Sequence, residues 1–327
     1  MRKLDLLVPV YNEDESVLRN LLDSVQIQQN VDLKKDLGVI ICCDGGTTKI
    51  SKKLKQRYTF PIEDYVCEHR GVSATRNACF EHSEAEYVMF CDADDMFLNV
   101  CGLWIVFREM EQNGGFDVLV SQFVEETMNP QTKEKIYVNH DMDSTFVHGK
   151  IFRRQYLADN NIRWNADLTI HEDSFFNILA QRLTNNAKYC SQAFYLWKWR
   201  DESVCRHDPK YILKTYNNML ESSTALIHEF IQRGKLEIAQ FYATTMIYDA
   251  YYMMNKDEWL NQENSEYRYN TEVRFKQYYL EFKMLFDSVP KDARSQIIVG
   301  MKNRFFKEGM LLESITFEDW IEHVLSL

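Results

Sequence analysis

The sequence predicts an α/β domain followed by a helical region, and three observations carry that expectation. Short apolar runs at residues 4–10, 37–43 and 87–91 have the length and composition of strands buried on both faces. Stretches with apolar residues at helical spacing separate them, and such alternation implies a largely parallel sheet with right-handed crossovers. From Asp208 onward the chain becomes rich in Leu, Met, Tyr and Phe at helical spacing, with few turn signals before Ser288-Val289-Pro290-Lys291-Asp292. The expected organisation is therefore an α/β domain over residues 1–207 and a helical region over 208–327.

The elements follow in order. Residues 4–10 read as the first strand, and Asn12 with Glu15 reads as a helix-capping pair ahead of Val17, Leu18, Leu21, Leu22 and Val25. Residues 37–43 form a second strand that ends on Asp44-Gly45-Gly46. A short strand near 65–67 leads into Arg70-Gly71-Val72-Ser73-Ala74-Thr75-Arg76-Asn77, which opens another helix. The strand at 87–91 stops on three carboxylates, Asp92, Asp94 and Asp95. After residue 115 the pattern changes: residues 116–124 and 135–138 flank Asn129-Pro130 and read as an antiparallel hairpin.

Length and composition narrow the classes. With 327 residues, 45% hydrophobic and 27% charged, the chain has enough apolar surface for a sizeable core. A formal net charge of −11 argues against a surface built to hold nucleic acid non-specifically. The eight cysteines include no CxxC pair and several lie inside apolar runs, which suits buried free thiols in a reducing, cytoplasmic setting. The N-terminus imitates a signal peptide, but Asp5 interrupts its apolar part, so a first strand is expected instead. No run approaches the roughly 18 apolar residues of a membrane span, leaving at most a peripheral membrane association.

The acids at 92, 94 and 95 are the most informative feature. Carboxylates at the carboxyl end of a buried strand stand where open α/β sheets bind ligands. Crowded oxygen ligands suit a hard cation such as Mg²⁺ or Mn²⁺, commonly shared with substrate phosphates. An acidic turn is the plain alternative.

Five separated motifs give the cluster a context: Val8-Pro9-Val10-Tyr11-Asn12-Glu13, Cys43-Asp44-Gly45, Arg70 to Asn77, Asp92-Ala93-Asp94-Asp95 and His171-Glu172-Asp173. In order and rough spacing they resemble glycosyltransferase family 2 over about residues 4–205. The resemblance implies a GT-A fold, Rossmann-like with a mainly parallel sheet and an antiparallel hairpin, and inverting transfer from a nucleotide-diphosphate sugar.

The resemblance also implies roles. Pro9, Tyr11, Glu13 and Asp44 would cup the nucleoside, with Asp44 accepting from the base; a turn role is the rival for Asp44. Two acids more often precede that glycine in the family, and Cys43 here leaves the base open. Asp92 and Ala93 would serve the donor, Asp92 through its ribose or a metal-bound water, and Asp94 would bind Mn²⁺ or Mg²⁺ directly. Asp173 would be the catalytic base, against a helix N-cap as the alternative. Glu172 would support the acceptor. Arg76 is suited to the diphosphate near a helix N-terminus, or equally to a salt bridge with a strand-end acid. Arg206 would touch phosphate and His207 would complete the metal shell, although a lone histidine is more often structural. Gly149 would allow close backbone approach, and Lys150 reads as a solvated lysine. Tyr248, Tyr251, Tyr252, Met253 and Met254 read as helix core rather than a sugar platform.

The function so implied is metal-dependent, inverting transfer of a sugar, from a UDP-linked donor, to a hydroxyl. The acceptor classes are a glycan, a polyol-phosphate polymer, a protein or a modified nucleobase. A nucleotidyltransferase releasing pyrophosphate and a non-catalytic sugar-nucleotide-binding protein are the alternatives. Residues 208–327 would bind the acceptor or join copies into a homo-oligomer.

Overall fold

In the computed structural model, the described residues are 1–46, 50–129, 131–200, 211–307 and 315–327. They divide into two compact units, Met1–Ser203 and Val204–Leu327.

The first unit is built on one sheet. Its strands are β1 (Leu4–Val10), β2 (Leu37–Asp44), β3 (Ile62–Cys67), β4 (Tyr87–Phe90), β5 (Met96–Phe97), β6 (Val118–Met128), β7 (Lys135–His140), β8 (Lys150–Arg153) and β9 (Ala187–Trp197). They lie in the order β3-β2-β1-β4-β8-β6-β9-β5, with β7 paired to β6. The strands β3, β2, β1 and β4 are mutually parallel. Beyond β4 the sheet is mixed, because β8 runs antiparallel to both β4 and β6 whereas β9 runs parallel to β6. The expected hairpin is β6–β7, and Pro130 at its tip lies outside the described residues.

Order follows from burial. Every residue of β2 and β4 is buried, and Leu18, Leu21, Leu22 and Val25 of the helix Glu15–Gln26 pack into the same core as β1 and β2. Asp5, which breaks the leader-like N-terminus, is buried within β1 and paired with Arg2 at 2.8 Å. The chain runs from β1 outward to β2 and β3, then returns past β1 to β4. That reversal opens a crevice beyond the carboxyl ends of β1, β2 and β4, where α/β sheets bind ligands.

Two sequence expectations change. Asn12 is not the helix cap: it sits at φ 56°, and Asp14 caps the helix by accepting from the Ser16 N–H at 2.7 Å. Lys150 is not solvated: it is fully buried in β8 and donates to the Phe146 carbonyl. Burial lowers its pKa to about 8.

The second unit holds the helices Tyr211–Gln232, Leu236–Met254, Ser265–Ser288, Lys291–Lys307 and Phe317–Ser326. Tyr248, Tyr251, Tyr252, Met253 and Met254 are all buried, as expected of helix core. Trp320, fully buried, stacks on Phe275 and donates to Glu272. Among the described residues no helix is long and apolar enough to cross a membrane, and the cysteines at 42, 43, 67, 79, 91, 101 and 190 are free.

Candidate active site

The loops after β1, β2, β3 and β4 enclose a cavity of about 400 Å³. Pro9, Tyr11, Glu13, Asp44, Arg76, Asp92, Ala93 and Asp94, selected from four separate motifs, all line it. Sequence reading missed His69, Val72 and Thr75 on the same wall. His69 stacks on Tyr11 with ring centroids 4.7 Å apart, a pairing across two loops that no local pattern announces.

Asp44 organises the loop after β3. Its carboxylate is buried and accepts from the N–H groups of Arg70 at 2.9 Å and Gly71 at 3.1 Å, with His69 Nδ1 at 3.0 Å. Gly45 follows at φ 69°, and a Cβ there would lie 2.7 Å from that of His69, so the loop passes only over glycine. Gly71 then starts the helix Val72–His82, whose N-terminus faces the cavity through Gly71, Val72 and Thr75. Such a terminus attracts anions.

The three acids after β4 divide by direction. Asp92 and Asp94 line the cavity, whereas Asp95 is fully buried. Asp95 accepts from the Tyr195 hydroxyl at 2.7 Å and the Lys198 N–H at 2.9 Å, and Tyr195 in turn accepts from the Asp92 N–H at 3.2 Å. Asp95 thus anchors the acid loop to the end of β9. Burial, with Asp92 and Asp94 nearby, pushes its carboxyl well above the usual carboxylate range. Asp94 faces Arg200 at 3.1 Å, and burial with the Asp92 charge raises its pKa.

Asp92, Asp95 and His148 offer ligand atoms within 4.8 Å of one another. The oxygens of Asp95 are taken by Tyr195 of β9 and by Lys198 just beyond it, and the carboxylates that line the cavity are those of Asp92 and Asp94. Their chemistry fits Mg²⁺ or Mn²⁺. Arg206 and His207 lie outside the described residues.

Arg76 joins this cluster to the base candidate. The side chain is buried, one guanidinium nitrogen lies 3.1 Å from Glu172 and 2.9 Å from Asp173, and the other lies 3.0 Å from Asp92. The guanidinium carbon stands 4.3 Å from the Trp164 ring centroid. Burial works against the charge of Asp92, yet Arg76 and His148 hold its pKa below the ordinary value.

Asp173 is in the first turn of the helix Glu172–Arg182, and the cap position belongs to His171 at φ 63°. The capping alternative for Asp173 therefore fails. Its second oxygen accepts from the Val147 N–H at 3.1 Å. Val147 precedes His148-Gly149-Lys150, where Gly149 at φ 66° has no room for a Cβ against Ser121 Oγ. Burial raises the Asp173 carboxyl to about 7, with Arg76 opposing the rise and Glu172 and Asp92 adding to it.

Residues 5–166 match the family described as Glycosyl transferase family 2. The chain belongs to glycosyltransferase family 2. The poly(ribitol-phosphate) beta-N-acetylglucosaminyltransferase TarS of Staphylococcus aureus is 25% identical over 211 residues, which take in 62% of this chain and 36% of that protein. This member of the family thus spans 36% of the length of that curated relative. Residues 1–349 of S. aureus TarS, solved in complex with UDP-GlcNAc, superpose with a TM-score of 0.61 at 18% identity, covering 95% of this chain and 93% of that one. The mannosyltransferase PcManGT of Pyrobaculum calidifontis, in complex with GDP-Man and Mn²⁺, gives a TM-score of 0.51 at 12% identity, covering 100% of this chain and 86% of that one. The fold is GT-A.

Proposed function

We propose that this chain is a metal-dependent, inverting glycosyltransferase that moves a sugar from a UDP-sugar to a hydroxyl. The observation that carries the reading is the convergence of separate motifs on one cavity, with Asp173 joined to its edge through Arg76. Tyr11, stacked on His69 and half exposed, offers a flat face for the base, and Pro9, Glu13 and Asp44 complete that end. The N-terminus of the helix Val72–His82 favours the diphosphate.

Asp173 acts as base. A carboxyl held near 7 is a far better proton acceptor than one near 4, and it takes the acceptor's proton as the new bond forms. The acceptor oxygen bonds to the anomeric carbon as the bond to the diphosphate breaks, and the electron pair leaves with the diphosphate. One displacement inverts that carbon. Asp94, with Asp92, would hold Mn²⁺ or Mg²⁺, which supplies positive charge against the departing diphosphate. Glu172 keeps Arg76 and the base in register.

TarS is named for transfer to poly(ribitol-phosphate), which makes a polyol-phosphate polymer the first acceptor to try. Free thiols, most of them buried, fit a reducing, cytoplasmic setting. Val204–Leu327 would bind the acceptor or a second copy, and the mass of the chain in solution tests the second role.

A screen of nucleotide sugars with Mn²⁺ tests the whole reading. Release of nucleoside diphosphate supports it, pyrophosphate from a nucleoside triphosphate identifies a nucleotidyltransferase, and binding without turnover identifies a non-catalytic protein.

A further inference from the structure

We infer that Arg76 is a positioning residue for the base rather than a ligand of the donor diphosphate. The inference rests on the glycosyltransferase reading and deepens it. A diphosphate ligand needs a guanidinium with free edges and room to move. Arg76 has little of either: Asp92, Glu172 and Asp173 engage both terminal nitrogens, its Nε–H is buried, the residue is only 3% exposed, and Trp164 covers its face. Its partners come from the loop after β4 and from the helix Glu172–Arg182, so the guanidinium bridges the base to the acid facing the donor. A planar fork can hold three carboxylates in fixed directions, and an ammonium cannot.

Asp173 is faced by Arg76 from the helix Val72–His82, by Glu172 from its own helix, by Asp92 from the acid loop and by Lys150 from β8. Removing the Arg76 charge therefore moves the base toward protonation, and removing the Glu172 charge moves it the other way.

The test uses the full chain, the nucleotide sugar that the wild type turns over, and UDP as binding probe. Arg76→Lys is expected to lower kcat about 100-fold by loosening the base, while the UDP dissociation constant stays within about threefold. The acid limb of the pH–rate profile is expected to move upward in Arg76→Gln and downward in Glu172→Gln. If Arg76→Gln does not fold, the split between kcat and UDP affinity in Arg76→Lys decides. A UDP affinity lowered tenfold or more by Arg76→Lys, or a kcat that Arg76→Lys leaves within about threefold, overturns the inference and leaves the transferase reading intact. A wild type that turns over no nucleotide sugar sinks both.

Discussion

Replacing Asp173 by Asn should separate catalysis from stability in a pH-dependent way. The native carboxyl sits near 7 against an ordinary value of 3.8, so its ionisation is disfavoured by the fold. A carboxyl raised in the native state leaves stability intact below its unfolded pKa and takes it away as pH climbs from about 4 to about 7. Between pH 5 and pH 8 the cost to the wild type grows by about 2–3 kcal/mol, and Asn, which does not ionise, escapes it. The substitution has its own constant cost. Both oxygens of Asp173 accept hydrogen bonds, from Arg76 and Val147, and Asn offers one acceptor. The lost bond costs about 1–3 kcal/mol at every pH. The variant should therefore be close to the wild type in stability near pH 5 and above it near pH 8. Thermal unfolding at the two pH values reads this as a relative gain of about 5–10 °C. Turnover should fall about 10²- to 10⁴-fold near pH 8, where the wild-type base is ionised, and by far less near pH 5, and the wild-type acid limb should centre near 7. Melting differences that stay parallel from pH 5 to pH 8, or an acid limb near 4, would refute the account of a buried, raised base.

Three further substitutions address the rest of the site. Asp94→Asn should abolish stimulation by Mn²⁺ while shifting stability by less than about 1 kcal/mol, because the ion pair with Arg200 is partly solvated; a metal titration of turnover beside a melting curve checks both. Tyr195→Phe removes the hydroxyl between the Asp92 N–H and the Asp95 carboxylate and should cost about 1–3 kcal/mol together with turnover, so an unchanged melting temperature counts against the anchor. Asp44→Ala leaves the Arg70 and Gly71 N–H groups without their acceptor, and the donor KM should rise about tenfold or more if the loop shapes the nucleoside site.

Most of the parallel half of the sheet was legible because strands buried on both faces leave apolar runs, broken in β1 only by Asp5 and continuous in β4. Beyond β4 the β6–β7 hairpin was legible too, but β8 and β9 were not. β9 carries Lys188, Ser191 and Gln192 with irregular burial, and a register shift opposite Ser121–Phe123 breaks any alternation. β8 is four residues long and includes the buried Lys150, which no propensity scale would place inside. Within the site, motifs named the residues but not their directions. Asp94 and Asp95 are neighbours of one type, and only the far-off Tyr195 and Lys198 turn one inward while the other faces the cavity. The partners of Arg76 lie 16, 96 and 97 residues away, beyond the reach of any local pattern.

The charge pattern leads to one more consequence. On the proposed reading the cavity takes an anionic donor, yet Glu13, Asp92 and Asp94 line it, and Arg76 and Arg200 are already engaged by acids. Burial and the Asp94 charge raise the pKa of Glu13, and burial with Asp92 raises that of Asp94, so the cavity opposes added negative charge. Each close like-charge contact costs about 1–4 kcal/mol in such surroundings, more than a helix N-terminus returns. A divalent cation between Asp94 and the diphosphate reverses those signs. Donor affinity itself, and not turnover alone, should then depend on the cation: UDP should bind at least about tenfold more weakly without Mn²⁺ than with it. Calorimetric titration of the chain with UDP, in chelator and in Mn²⁺, measures the ratio. Equal affinities would mean that the acids do not face the diphosphate, and the division of labour between Asp92 and Asp94 would have to be redrawn.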